Sequence, residues 1–339
     1  MRKITMMSKQ YNIIFYIYFS LALIILASIR PIGFDADLIG YYTLMEKIIK
    51  FDYILIEPAF VLIVKLSYSF FGEEYYQRVV VIIFSILHIS ILSYAFYKLS
   101  KCPIYSLLLY LLLFYSILGL TQIRYSILVS LFLLSIPNII NRNIIGFYIK
   151  IFIAISFHYS GILFLIFYFL NPNVINKTKY FLLLLISTMM PLLHSIFLKL
   201  IVSLNDNGFF PKYVYNKIYH NLILNSDKLS FSIFNIFRIY IIFIYIQYLF
   251  TYKVLSKKNV VLMKILGIGI FLYMLFSFSP TISFRMLNGI IIVVVLLMVN
   301  LQNLYKESNI VIIIIIFISL LLFLNTVVRN ELLNWSVLF

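Results

Sequence analysis

Six residues of an otherwise apolar chain carry side chains suited to chemistry beside or inside its apolar runs: Asp35, Asp37, Arg124, His158, Arg238 and Arg285. A guanidinium is always charged, binds phosphate bidentately and is costly in apolar surroundings, so an arginine at such a position calls for an anion. Arg124, in Thr121-Gln122-Ile123-Arg124-Tyr125, and Arg285, in Pro280-Thr281-Ile282-Ser283-Phe284-Arg285, stand at helix starts, and Arg238 lies inside the run that begins at Phe231. Facing one cavity, the three suit a pyrophosphate leaving group, whose developing negative charge they would stabilise. The plainer reading is snorkelling to lipid phosphates, which suffices for Arg78 and Arg329. In Arg30-Pro31-Ile32-Gly33-Phe34-Asp35-Ala36-Asp37, followed by Tyr41-Tyr42, Pro and Gly fix a turn that presents two carboxylates, where a general base for a hydroxyl could sit. A solvated loop leaving the membrane explains the same residues. His158 precedes Tyr159-Ser160-Gly161, a break that would open an ionisable ring to a cavity. For His88 a satisfied interhelical hydrogen bond is the favoured account. Glu57-Pro58 reads as a helix start, with capping favoured over catalysis for the acid.

The elements that must position these residues follow from composition. The chain has 339 residues, 64% of them hydrophobic and 11% charged, with a mean hydropathy of +1.06, too little polar surface to cover a water-soluble globule. Lipid is its main solvent, and only helices or closed barrels satisfy their backbone there. A hydrocarbon core about 30 Å thick needs roughly 20 apolar residues per crossing, which predicts an all-α, polytopic integral membrane protein with about ten or eleven transmembrane helices. Residues 1–339 then form one transmembrane domain. The single cysteine excludes an internal disulfide, and no His/Cys cluster has metal-ligand spacing, so neither cofactor nor metal is expected. The net charge of +16 is scattered over many loops, which fits membrane lipids and an anionic substrate and argues against nucleic acid.

Apolar runs cover Tyr11 to Ile29, Val79 to Tyr97, Pro103 to Leu118, Ile123 to Pro137, Ile144 to Leu170, Tyr180 to Leu204, Phe231 to Phe250, Val260 to Phe278, Met286 to Leu304 and Ile310 to Val328. Arg2, Lys3 and Lys9 put the N-terminus in the cytoplasm by the positive-inside rule, and the first run reads as a retained helix rather than a cleaved signal. Two stretches concentrate charge and turn residues and read as outer loops: residues 30–78, with interfacial helices, and residues 205–230. The first holds seven of the eleven acidic residues, and the second carries Asp206, Asp227, His220 and the aromatics Phe209, Phe210, Tyr213, Tyr215 and Tyr219, which could stack on sugar rings. Pro58 to Phe71 is a short span or an interfacial helix. Positive-inside counting favours the latter, and it requires the run from Ile144 to Leu170 to break near His158 and cross, or nearly cross, twice.

Read in order, Gly33-x-Asp35 with Tyr41 after the first helix, Glu57-Pro58 opening an apolar stretch, Gln122-Ile123-Arg124 before a helix and Phe157-His158-Tyr159-Ser160 in the middle resemble the EpsG-like group of bacterial polysaccharide polymerases, which includes many Wzy-type O-antigen polymerases. The resemblance covers the first half of the chain. It implies a multi-pass glycosyltransferase of the bacterial inner membrane, of GT-C-like architecture, whose active site faces the periplasm. The reaction it implies transfers a growing glycan from undecaprenyl pyrophosphate to the terminal sugar hydroxyl of another undecaprenyl-linked repeat unit, building O-antigen or capsular polysaccharide. On that reading Asp35 or Asp37 lies near the acceptor, Arg124, Arg285 and Arg238 hold the pyrophosphate, and His158 handles a proton or hydrogen bond in the cavity. The partners would be the undecaprenyl-pyrophosphate-linked oligosaccharide, membrane lipids and a polysaccharide chain-length regulator. A flippase for lipid-linked oligosaccharide or an O-antigen ligase would use similar groups.

Overall fold

The computed structural model describes residues 2–35, 37–50, 56–190, 194–208, 233–251, 255–276, 288–301 and 309–324. They are predominantly helical, without an extended strand, and the chain is a helical polytopic membrane protein. Among the described residues, four helices are long and apolar enough to cross a bilayer, or five if one sharply bent pair counts as a single span. The run from Ile144 to Leu170 forms two helices, each too short to cross alone, because it breaks at His158. The chain divides into two compact units, Met1–Leu170 with Met298–Phe339, and Asn171–Leu297.

In the first unit, α1 (Arg2–Ile29) turns most of its surface outward, as a lipid-facing helix does. Its buried stripe is Tyr16, Ser20, Leu23 and Ala27, spaced at four, three and four residues, one face of a helix. That face meets α3 (Pro58–Leu99), where the Tyr16 hydroxyl donates to the Ser93 carbonyl at 2.7 Å and Ser20 Oγ lies 3.0 Å from Ser93 Oγ. Small hydroxyl residues at a crossing let two helices approach closely in lipid. Between the two, α2 (Leu38–Lys50) is amphipathic, burying Leu38, Met45 and Ile48.

α3 runs for 42 residues, about 63 Å at 1.5 Å rise and twice the thickness of a hydrocarbon core. It is broken at Gly72, whose φ of 73° is open to glycine at little cost. The limb before the break has fourteen residues, about 21 Å, so a full crossing falls to the limb after it. The short element expected at Pro58 to Phe71 is thus a limb of its own, set off from the longer helix after it by the kink at Gly72.

α4 (Pro103–Leu113) begins with Pro in its first turn and is followed by a buried π-helical turn, Tyr115–Thr121, bent by 79° from it. The ring of Tyr115 occupies the space into which a Cβ on Gly119 would project, 2.4 Å away, so only glycine fits there. The bent turn delivers the chain to α5 (Ile123–Ile140), the central helix of the unit, packed against both α3 and α6 (Ile144–Phe157). As expected, the run from Ile144 to Leu170 breaks at His158, which ends α6 and starts a 3₁₀ helix, Tyr159–Phe169. Reciprocal hydrogen bonds tie the two ends of this stretch: Arg142 Nη1 donates to the Tyr168 carbonyl and the Tyr168 hydroxyl to the Arg142 carbonyl, both at 3.0 Å. The stretch is therefore an antiparallel hairpin that enters and returns, with His158 at its tip.

The second unit holds α7 (Lys177–Met189), α8 (His194–Asp206), α9 (Ile233–Thr251), α10 (Lys257–Leu275) and the start of α11 (Val293–Leu301). α10 packs on α7 and α9, and Gly267 makes that approach possible, because a Cβ there would lie 2.5 Å from the Tyr245 hydroxyl and 3.1 Å from the Tyr180 ring. Lys264 Nζ reaches the Asn171 carbonyl at 2.7 Å. α12 (Asn309–Leu324) packs against α4 in the first unit.

Candidate functional site

Three helix starts meet in the first unit. Pro58 in the first turn of α3 presets the helical φ, which leaves Glu57 at the N-cap with extended backbone (φ −57°, ψ 130°). Its carboxylate makes no cap hydrogen bond; it forms an ion pair and hydrogen bond with Arg124 Nη1. This reverses the capping expected for Glu57 from sequence. The first turn of α5 carries Arg124 as its second residue, where the helix dipole disfavours a cation, so the position answers to an anion rather than to helix propensity. The guanidinium is stacked as well as paired, 5.4 Å from the Tyr41 ring centre and 5.1 Å from that of Phe60. His158 lies within electrostatic range of both Glu57 and Arg124, and its ring meets Tyr125 edge-on at 5.2 Å. Tyr159 donates its hydroxyl to the Ile56 carbonyl at 3.0 Å, which fastens the hairpin tip to the segment just before Glu57.

The hydrogen bonds at the hairpin tip fix which nitrogen of His158 carries the proton. Ser160 N–H donates to Nδ1 at 3.3 Å, and Ser160 Oγ lies 2.8 Å from the same atom. A backbone N–H can only donate, so Nδ1 is an acceptor and Nε2 bears the hydrogen of the neutral ring. No partner for Nε2 occurs among the described residues. Nearby, the Arg124 Nε and the Gln122 Oε1 are buried without a hydrogen-bond partner among the described residues. Buried polar atoms are nearly always paired in native proteins, so two orphans two residues apart at the start of α5 mark a place where a polar ligand would complete the set.

A second ion pair sits close by in sequence and differs in kind. Arg30 Nε donates to Asp35 Oδ2 at 2.8 Å, Nη2 to the Leu120 carbonyl at 2.8 Å, and Nη1 to the Ala27 carbonyl. The other carboxylate oxygen, Oδ1, accepts from the N–H groups of Leu38 at 3.0 Å and Asp37 at 3.2 Å, which starts α2. Gly33, at φ 85°, occupies the third position of the turn closed by Phe34 N–H on the Pro31 carbonyl. Arg78 donates to the Ser28 and Arg30 carbonyls at 3.1 and 2.7 Å, so it caps the end of α1 where lipid snorkelling was expected. Asp35 thus makes its contacts with Arg30 and α2, and none with Arg124, Glu57 or His158. Asp37 is half-buried, its carbonyl accepting from Tyr41 N–H at 3.0 Å.

His88, at mid-depth in α3, is fully used. Its Nδ1 lies 3.0 Å from the Ser126 carbonyl and 2.8 Å from Ser130 Oγ, and its Nε2 lies 2.7 Å from the Tyr110 hydroxyl, which joins α3, α4 and α5 as the interhelical hydrogen bond expected of it. Arg238 falls on α9, with its side chain outside the described residues. Arg285 and residues 209–230 of the second loop also lie outside them.

Among sequence expectations, Arg124 and His158 come together; the residues that sequence reasoning missed are Glu57 as the partner of Arg124, and Tyr41 and Phe60 as its aromatic walls. The usable signal was charge bookkeeping: a cation in a helix first turn needs an acid, and most of the acids lie in residues 30–78. The pieces singled out from the sequence, Tyr41, Glu57-Pro58, Gln122-Ile123-Arg124 and Phe157-His158-Tyr159-Ser160, converge here although they are spread over more than one hundred residues. No curated protein and no solved structure matches the chain. The family model that does match is described as the EpsG family and covers residues 13–337. With nearly its whole length inside that match, the chain belongs to the EpsG family.

Proposed function

We propose that the protein polymerises undecaprenyl-pyrophosphate-linked oligosaccharide repeat units into O-antigen or capsular polysaccharide, as a Wzy-type glycosyltransferase of the bacterial inner membrane acting at the periplasmic face. Membership of the EpsG family itself suggests a polysaccharide-polymerase-like activity. The observation that carries the finer reading is the convergence of Arg124, Glu57 and His158 at helix starts inside an apolar unit, with buried polar atoms still unpaired. Glycosyl transfer from a prenyl pyrophosphate needs cations for the departing pyrophosphate and a hydrogen-bonding group near the reacting atoms. Arg124, at the positive end of α5, meets the first need, and the Nε2–H of His158 is a free donor for a phosphate or sugar oxygen. The assignment of Arg285 and Arg238 to the same pyrophosphate rests on the sequence pattern, as does that of Asp37 to the acceptor. Asp35, held by Arg30, serves to shape the turn into α2.

Sidedness supports the periplasmic assignment. α1 begins with Arg2, Lys3 and Lys9 and is followed directly by Arg30, whose guanidinium donates to the Leu120 carbonyl, just before α5. The far ends of the same unit carry Lys98, Lys101 and Arg142. Positive-inside placement of those ends puts Arg124, Glu57 and His158 at the outer face. The test is a gel of surface polysaccharide from a deletion strain complemented with wild type or Arg124→Ala. Deletion should collapse the ladder to a lipid core carrying one repeat unit, with only wild type restoring it at equal protein level. An unchanged ladder, or loss of the single unit as well, overturns the reading in favour of export or ligation.

A further inference from the structure

We infer that Glu57 is the catalytic base for the acceptor hydroxyl, held inactive by Arg124 until a pyrophosphate takes its place. The inference rests on the polymerase reading above. In the structure the Glu57 carboxylate is the counter-ion of Arg124, the two side chains being 8% and 20% exposed. A buried ion pair is poor value for stability unless every remaining donor and acceptor is satisfied, and this one leaves Arg124 Nε without a partner. The carboxylate also declines the nearer use open to it, since as N-cap of α3 it could accept from that helix's own first-turn N–H groups and does not. It is thus held by one cation and by no described backbone contact, an arrangement that a second anion can undo.

A pyrophosphate offers Arg124 more negative charge and a bidentate oxygen set than one carboxylate does, so the guanidinium exchanges partners as the donor lipid binds. The aromatic pair Tyr41 and Phe60 keeps the guanidinium in place through the exchange, because its contact with their faces does not depend on which anion it holds. Glu57, released, is then an unpaired carboxylate free to accept from the acceptor hydroxyl. In the transfer, the acceptor hydroxyl oxygen forms a bond to the anomeric carbon while its proton passes to the Glu57 carboxylate. The bond from the anomeric carbon to the pyrophosphate oxygen breaks, and its electron pair leaves on the oxygen held by Arg124. Departure of the undecaprenyl pyrophosphate lets Arg124 return to Glu57, which expels the proton to water and restores the resting pair.

Competition between the two anions gives a readout that a merely structural salt bridge would not produce. Binding of inorganic pyrophosphate to the full-length protein in nanodiscs, measured by calorimetry, should tighten by about tenfold in Glu57→Gln, because the competing charge is gone, while the polysaccharide ladder is lost. Arg124→Gln should lose both binding and ladder. Equal or weaker pyrophosphate binding by Glu57→Gln, or a normal ladder from it, overturns the inference while leaving the deletion-strain test of polymerisation untouched. Should Glu57→Gln not fold, the wild-type protein carries the test. Carbodiimide-driven coupling of glycine ethyl ester to Glu57, followed by peptide mass spectrometry, should rise severalfold when pyrophosphate is added, and an unchanged or reduced yield overturns the exchange.

Discussion

Two ion pairs in the same unit place an arginine against a carboxylate, and they differ in how completely each is enclosed. Arg30 and Asp35 are 1% and 0% exposed, and carbonyls of Ala27 and Leu120 and the N–H groups at the start of α2 take up the remaining hydrogen bonds. Arg124 and Glu57 are joined to each other and walled by aromatic rings, while Arg124 Nε, Gln122 Oε1 and the Nε2–H of His158 have no partner among the described residues. A saturated pair behaves as a rivet, holding the end of α1 to the turn before α5. An unsaturated pair in apolar surroundings costs stability, and a protein that retains one is holding charge ready for a ligand. The contrast also separates two acids that look alike in sequence, since Asp35 and Glu57 both precede a helix in an acid-rich stretch.

The largest effect should come from breaking the rivet. Arg30→Ala leaves the Asp35 charge buried and unpaired, which costs about 3–5 kcal/mol. Thermal melting in detergent should show a much lowered midpoint and membrane yield should fall with it, whereas the paired change Arg30→Met with Asp35→Leu should recover most of the stability. If Arg30→Ala melts normally yet yields no polymer, Arg30 belongs to the site and the distinction between the pairs collapses. Arg124→Ala should do the reverse. Its melting changes less, because the site is already incompletely paired, but the rate of polymerisation falls by about 10²–10³-fold, the loss seen when one preorganised transition-state donor is removed. His158→Phe follows. It keeps a ring against Tyr125 and removes the Nε2–H, and an in vitro assay should record a rate loss equal to about 1.5–3 kcal/mol, the worth of a hydrogen bond to a charged group.

Much of the architecture was legible from hydropathy, because in lipid the backbone must satisfy itself and an apolar run becomes a helix whatever its neighbours do. The starts at Pro58 and Ile123 and the break at His158 followed from local chemistry: proline at a first turn, and a histidine followed by small polar residues. The run from Pro103 to Leu118 was harder. Its 79° bend turns on the Tyr115 ring packing over Gly119, a contact that no periodicity announces. Gly72 was likewise visible as a glycine and invisible as a hinge, since its effect depends on a left-handed φ that the surroundings impose. For the site, the arginine and the histidine stood out because each is expensive where it lies. Their acid did not, because Glu57 pairs with a residue 67 positions away and only the packing of α3 on α5 brings them together.

The finest test of the comparison concerns the aromatic wall of the open pair, the faces of Tyr41 and Phe60 over the Arg124 guanidinium. Tyr41 reaches Arg124 from α2, the short helix whose start is fixed by Asp35, so the rivet positions one wall of the site. A cation over an aromatic face gains about 0.5–2 kcal/mol when partly desolvated, and the ring supplies it whether or not a hydroxyl is attached. Tyr41→Phe should therefore polymerise at close to the wild-type rate. Tyr41→Leu, which keeps the bulk and loses the π face, should slow by about two- to thirtyfold, the rate equivalent of that contact. Both should melt like wild type, since Arg30, Asp35 and the start of α2 are undisturbed. A Phe variant as slow as the Leu variant would show that the site uses the hydroxyl. Tyr41 would then count as a third polar group facing the ligand, beside the Nε2–H of His158 and Arg124, and the wall would be left to Phe60.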